Sequence, residues 1–466
     1  MEADRRDDGA RPSSGQAARV IIVGGGFSGT MLAAELARKR IRSTVIDAGR
    51  AGRGTAFSTP EAAHLLNVPA GRMGGWADDP AHFTRAIAGE GYTADDFVPR
   101  RRYGDYVQGI LDDVEAGGMA KIVQQRATAA RRTGDSWIVD LADGSRLEGD
   151  VLVLAQGNQP PQAPPLARGL SPELFVNDPW SEAGRTAIVK AAASGGDVLL
   201  IGTGLTMVDV VLSLDEARLR GRITALSRRG LMPRAHADHG VAPVELDEIP
   251  QGSVRRLWDW VERRGASVGW RAAVDSLRPH SQALWQALGL TEQQRFLRHV
   301  RPWWDVHRHR IAPEVAGRIR RLIQLGQLEI TAGRVTDMWV DGQQLDVAIR
   351  RRGRRQAGDH KFALAVNCTG PLGSMSASQD PLLGSLFAAG LARPDALDLG
   401  LDVDGKSRVL RDQAAASPQD ERQMLWALGP LTKGRYWEIT AVPDIRGQVA
   451  AVAADITEEL SNAVQS

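Results

Sequence analysis

Two glycine-rich loops are where this chain can do chemistry. The first, Gly24-Gly25-Gly26-Phe27-Ser28-Gly29, follows the apolar run Val20–Val23 and leads into Thr30–Arg40, where Met31, Ala34, Leu36 and Ala37 keep helical spacing. A buried parallel strand, a glycine turn and a helix N-terminus together make a cradle for a pyrophosphate. Gly24 makes the tight turn, Gly26 lets the phosphates approach the backbone, and Gly29 lets the helix lie close on its strand. Phe27 and Ser28 sit where the free N–H groups of the helix start meet the phosphates. A second strand, Ser43–Ile46, closes on Asp47, placed to accept hydrogen bonds from a ribose.

The second loop, Gly202-Thr203-Gly204-Leu205-Thr206-Met207, follows Asp197–Ile201 and precedes an apolar helix over Val208–Leu214. Its third glycine is replaced by Met207, so this helix is expected to stand slightly farther from its strand. The next strand, Ile223–Leu226, ends in Ser227-Arg228-Arg229 instead of an acid. A carboxylate there would repel a 2′-phosphate and an arginine can grip it with two parallel hydrogen bonds, so the expected ligand is NADPH.

The elements that must position these loops repeat at low resolution. Hairpin signals at Asp143-Gly144 and Asp341-Gly342 are each followed by an apolar strand that stops near a glycine, Gly157 in the first half and Gly370 in the second. The expected fold class is therefore α/β, with two Rossmann-like dinucleotide-binding domains and a helical insertion, residues 236–328, in the second. That insertion carries Trp258, Trp260, Trp270, Trp285, Trp303 and Trp304, half of the chain's 12 tryptophans, readable as an aromatic lid or as the insertion's own core. With 466 residues, each domain has enough chain for its own core. Lys and Arg total 58 against 56 Asp and Glu, so charge alone argues for no nucleic-acid partner, and the Arg350–Arg355 run reads as a solvated turn. The single cysteine, Cys368, rules out a disulfide framework and a redox dithiol pair within this sequence, and it reads as an apolar filler. Residues 1–17 read as a disordered tail, no segment has the length and apolarity of a membrane span, and a cytoplasmic protein is expected. His236, His239, His307 and His309 lack partners at ligand spacing, so no metal is expected.

Six segments carry a family likeness: GRGTAFSTPEAAHLLNVPAGRMGGWADDPAHF (52–83), FVPRRRYGDYV (97–107), SRRGLMPRAH (227–236), WWDVHRHRIAP (303–313), NCTGP (367–371) and LGPLTKGRYWEITAVPDIRGQ (428–448). In these the chain resembles the YdhS-like bacterial FAD/NAD(P)-binding family and, more broadly, flavin-dependent N-hydroxylating monooxygenases. The resemblance implies an FAD domain built from 18–165 and 361–466 and an NADPH domain over 175–360. It places Arg72, Gly157, Gly370, Gly429 and Pro430 with the cofactors, and Asn67 beside the flavin or merely closing its own turn. It makes Lys433, Arg435 and Glu438 candidates for the catalytic cavity, and Arg100, Arg102, Trp304, His307 and Arg308 candidates for substrate contact. The implied reaction consumes O2 and hydroxylates a small polar nitrogen-containing molecule, an amino-acid nitrogen or a purine ring, through a hydroperoxyflavin. An NAD(P)H-dependent flavin oxidase or reductase and a non-catalytic nucleotide sensor are the competing readings. A homo-oligomer is left open.

Overall fold

The computed structural model describes residues 19–412 and 423–465. The expected tail, 1–17, lies outside them. Sheet formation follows the buried apolar runs. β1 (Val20–Val23), β2 (Ser43–Ile46), β3 (Ala120–Val123) and β7 (Val151–Leu154) join β15 (Leu425–Ala427) in a five-stranded parallel sheet of order β15-β7-β1-β2-β3. Val151–Leu154 are completely buried, as befits a central strand covered on both faces. Helix Phe27–Arg38 and the C-terminal helix Val442–Gln465 share one core through Met31, Leu32, Ile445, Val449 and Val452. A small antiparallel sheet of β4 (Ala127–Thr133), β5 (Ser136–Leu141) and β6 (Arg146–Gly149) turns at Asp143-Gly144.

The second sheet has the order β13 (Gly358–Phe362), β12 (Gln344–Arg351), β11 (Leu328–Asp341), β10 (Ile223–Ser227), β9 (Val198–Ile201), β14 (Leu364–Asn367), β8 (Phe175–Val176). Its parallel part holds β8, β9, β10 and β14. β11 begins parallel to β10, then continues as an antiparallel ribbon with β12 and β13. The expected boundary at residue 360 therefore falls too early, because β14 pairs with β9 inside the second sheet.

Between β10 and β11 the insertion is helical. Ser253 starts helix Val254–Val268, its hydroxyl accepting from the Arg256 N–H. Helices Trp270–Ser276, Ser281–Gln286 and Arg301–Arg308 follow, and Pro313–Gln324 then returns to cover the second sheet through Val315, Ile319 and Leu322.

Candidate cofactor and active site

The first loop is shaped by contacts that only glycine permits. Gly24 has φ +105°, and a Cβ there would lie 2.4 Å from the Ala155 carbonyl oxygen. A Cβ on Gly29 would lie 1.9 Å from the Gly24 carbonyl oxygen. Gly26 begins the helix with no side-chain cap, and no acid stands in the first turn, so the N-terminus keeps its affinity for an anion. Asp47 holds this loop: its carboxylate accepts from the Gly25 N–H at 2.7 Å and the Gly49 N–H at 2.8 Å. Gly52 donates to the Gly25 carbonyl, which seats residues 52–54 over the loop. There the Arg53 Nε is buried without a hydrogen-bond partner. From the far end of the chain, Gly429 reaches the same place. Its N–H donates to Gln448 Oε1 at 2.8 Å, and a Cβ on it would meet Ser28 Oγ at 2.9 Å. Pro430 follows in a single 3-10 turn. A glycine-lined cradle, an uncapped helix start and an arginine whose Nε is free while its Nη2 is anchored on Asp105 fit a dinucleotide.

The second loop repeats the geometry. Gly202 has φ +118° and approaches the Cys368 carbonyl, while Gly204 starts helix Leu205–Glu216 with open space where a Cβ would stand. Leu205 and Thr206 form the half-exposed first turn, and Met207, in place of a third glycine, is fully buried. Ser227 is taken up locally, accepting from Thr203 Oγ1 at 2.8 Å and the Gly230 N–H at 3.0 Å. Arg228 is exposed beside a cleft of about 420 Å³ that it lines with Arg334, Arg350, Arg352, Arg354 and Arg355. None of these six forms an ion pair with a described acid; only the neighbouring Arg351 does, with Glu329 at 2.8 Å. The Arg350–Arg355 run is a solvated turn, with residues 351–355 all exposed. The β11–β12 ribbon brings it against the end of β10, where a 2′-phosphate would need it. Arg229 is half-buried, and Gly157 and Gly370 take positive φ in open space after β7 and β14.

A third cluster joins the insertion to the segment after β15. Glu438 is buried at φ +70°. Its carboxylate accepts from Trp304 Nε1 at 2.9 Å, meets His309 Nε2 at 3.3 Å, and lies 3.0 Å from Arg308 Nε in a charge contact not aligned as a hydrogen bond. Burial alone would raise the pKa of Glu438, but the charges of His309 and Arg308 and the bonds from His309 and Trp304 outweigh it, pulling the carboxyl down to about 2. Burial opposes the charge on His309 too, yet Glu438 wins and holds its pKa above the ordinary 6.5. Nearby, burial and then Arg301 bring the Lys433 ammonium down to about 8, while it donates to Asn158 Oδ1 at 2.9 Å. A water-poor polar floor of this kind can orient a substrate and fix local charge.

Several sequence candidates have other occupations. Arg100 is held by Asp209 at 2.9 and 3.0 Å and by the Leu65 carbonyl, so it fastens helix Arg100–Ala116 to helix Leu205–Glu216 instead of facing a substrate carboxylate. His64 reinforces that junction through the Asp209 carbonyl and Ser213. Arg102 is paired with Glu90 on the surface. Arg435 is exposed over the Tyr436 ring and shares no partner with Glu438. Asn67 receives His236 on its backbone carbonyl at 3.0 Å, and Arg72 is exposed in a short turn nearby. His307 stands against Trp270, 4.9 Å between ring centroids, on the apolar side of its helix. Sequence reasoning missed Arg53 and His309. The signal for Arg53 was its place between Gly52 and Gly54; His309, flanked by two arginines, gave none beyond its motif.

Residues 21–159 match the family described as FAD-NAD(P)-binding. No curated protein matches the chain. Among solved structures it is similar to L-lysine 6-monooxygenase from Pseudomonas syringae (TM-score 0.66, 16% identity, 95% of this chain and 99% of that one). It is likewise similar to the ornithine N-hydroxylase of Kutzneria sp. 744, solved with reduced FAD, NADP+ and L-ornithine (0.65, 14%, 96% and 100%). Thioredoxin reductase from Lactococcus lactis shares the fold more loosely (0.52, 12%, 96% and 99%). The fold is therefore that of two-dinucleotide flavin-dependent oxidoreductases, and residues 21–159 form an FAD/NAD(P)-binding domain. No helix among the described residues is long and apolar enough to cross a membrane.

Proposed function

We propose that the chain is an FAD-dependent, NADPH-using monooxygenase. The observation that carries this reading is the pair of glycine cradles, one closed by Asp47 and Gly429, the other opening on an acid-free arginine cleft. The first would hold FAD through the Gly24–Gly29 loop and the helix start, with Arg53 and Ser28 beside it. The second would hold NADPH through Gly202–Thr206, with Arg228 on the 2′-phosphate. When bound, the flavin supplies the redox chemistry, taking electrons from the nicotinamide and delivering them to oxygen. The protein's own part is to bind, to exclude water, and to keep Glu438 charged and locked by Arg308 and His309. The single buried cysteine leaves no dithiol relay within this sequence, which separates the chain from the thioredoxin reductases that share its fold. The likeness to lysine and ornithine hydroxylases supports oxygen as the acceptor and a nitrogen-bearing or electron-rich substrate.

Anaerobic mixing with each nicotinamide tests the cofactor half. NADPH is expected to bleach the flavin faster than NADH. Arg228→Glu is expected to cut that preference by roughly 10–100-fold, since a charge-assisted phosphate contact contributes about 1.5–3 kcal/mol. Equal rates in the wild type, or a preference that survives the substitution, would sink the assignment of Arg228.

A further inference from the structure

We propose that the cleft between the helical insertion and segment 433–438 binds a flat, apolar aromatic molecule bearing one hydrogen-bond acceptor. This rests on the monooxygenase reading and names its substrate class. The cleft has a volume of about 540 Å³, the scale of a small-molecule site. One wall is the face of helix Val254–Val268, where Val254, Leu257, Trp258, Val261 and Gly265 recur at helical spacing. Indoles complete it: Trp270 and Trp303 from the insertion, and Trp285 stacked on Trp437 at 4.8 Å and 26°. Trp258, Trp270 and Trp303 belong to none of the hydrophobic cores, and Trp303 is 38% exposed. A surface that apolar and unburied is a place for a ligand to bury it.

Polarity selects the occupant. Trp285 Nε1 donates to the Gly434 carbonyl and Trp304 Nε1 to Glu438, so both are satisfied. Trp437 Nε1 is buried and has no partner, and the Nε1 groups of Trp258, Trp270 and Trp303 meet no acceptor among the described residues, so the walls offer donors to an acceptor on the ligand. Glu262 and His307 are the only lining residues that ionise. An amino acid such as ornithine would have to leave its charges against indole faces, at a large desolvation cost. A cation is disfavoured because Arg271 and Arg310 already lie over Trp270, and Arg301 over Trp437. Trp304 joins the cleft to Glu438, so an aromatic body in the cleft would lie next to the charged floor described above.

The test is a calorimetric titration of the FAD-loaded, oxidised protein with quinoline, a neutral bicycle with one ring acceptor. Saturable binding is expected, with no binding of L-ornithine or tetramethylammonium. Trp258→Ala, which removes a wall, and Val261→Trp, which fills the space, should each weaken quinoline about tenfold. Flavin content and circular dichroism establish that each variant is folded, and either variant alone suffices. Absent quinoline binding, binding unchanged in a folded variant, or tighter binding of L-ornithine would overturn the proposal. So would a second copy of the chain occupying the cleft, seen as a mass that doubles with concentration while quinoline is excluded. No NADPH is present in the titration, so failure of flavin reduction counts against the monooxygenase reading alone, and failure of quinoline to bind against the cleft alone.

Discussion

Gly29→Ala is expected to leave a protein that purifies with little or no flavin and unfolds at a lower denaturant concentration. The added Cβ would stand 1.9 Å from the Gly24 carbonyl oxygen, a backbone atom in a turn that β1, Ile46 and Ala155 already fix. Helix Phe27–Arg38 would have to withdraw, and with it the N–H groups that meet the pyrophosphate. Overpacking of this kind costs about 1–3 kcal/mol. The same displacement would weaken flavin by roughly 10–100-fold, at about 1.4 kcal/mol per factor of ten. Gly204→Ala is the informative contrast. A Cβ there meets nothing within 4 Å, and the residue's φ of −85° suits alanine, so the fold should hold. That Cβ would occupy the space through which phosphates approach, so nicotinamide binding alone should fall. Flavin content, urea midpoints and nicotinamide affinity separate the two. A Gly29→Ala protein with full flavin would contradict the cradle.

Glu438→Gln should cost roughly 3 kcal/mol, because Arg308 and His309 are left beside a neutral amide with the Trp304 bond kept. The loss should depend on pH in a stated sense. The folded carboxyl sits at about 2 against an ordinary 4.5, so its contribution is whole above 4.5 and disappears as pH falls through about 2. His309 is raised above 6.5, so its contribution is whole below 6.5 and disappears as pH climbs through the raised value. Wild type and variant should therefore differ most between about 4.5 and 6.5, converge as pH falls, and narrow without converging as pH rises, because Arg308 stays charged beside Glu438. Urea midpoints across that range measure it, and parallel curves would show that the charges are not coupled. Glu438→Gly should be more stable than Glu438→Ala by about 1 kcal/mol, since φ +70° costs a residue with a Cβ and costs glycine little.

Local physics made much of the fold readable. The runs Val20–Val23 and Asp197–Ile201, each spent into a glycine turn, can be little else than buried parallel strands, and the turns at Asp143-Gly144 and Asp341-Gly342 fix two hairpins. The site was legible only where its parts are contiguous in the chain. Glu438 gave itself away by type, but its partners Arg308 and His309 arrive from the insertion and are chosen by packing. Arg100 misled because its partner, Asp209, stands inside the apolar helix Leu205–Glu216, and that lone buried acid was the available clue. That the solvated Arg350–Arg355 turn stands beside Arg228 is not legible in the sequence, because no local pattern tells where the β11–β12 ribbon folds. β14 was assigned to the wrong side of a boundary because a short apolar strand does not say which of two sheets will take it.

The most direct measurement is stopped-flow absorbance of the flavin, first reduced anaerobically with NADPH and then mixed with oxygenated buffer in the presence of quinoline. The account predicts a transient spectrum distinct from both reduced and oxidised flavin, which quinoline in the cleft makes longer-lived by excluding water. Direct return to oxidised flavin with no such transient, and with peroxide equal to the NADPH consumed, would contradict it and leave an oxidase.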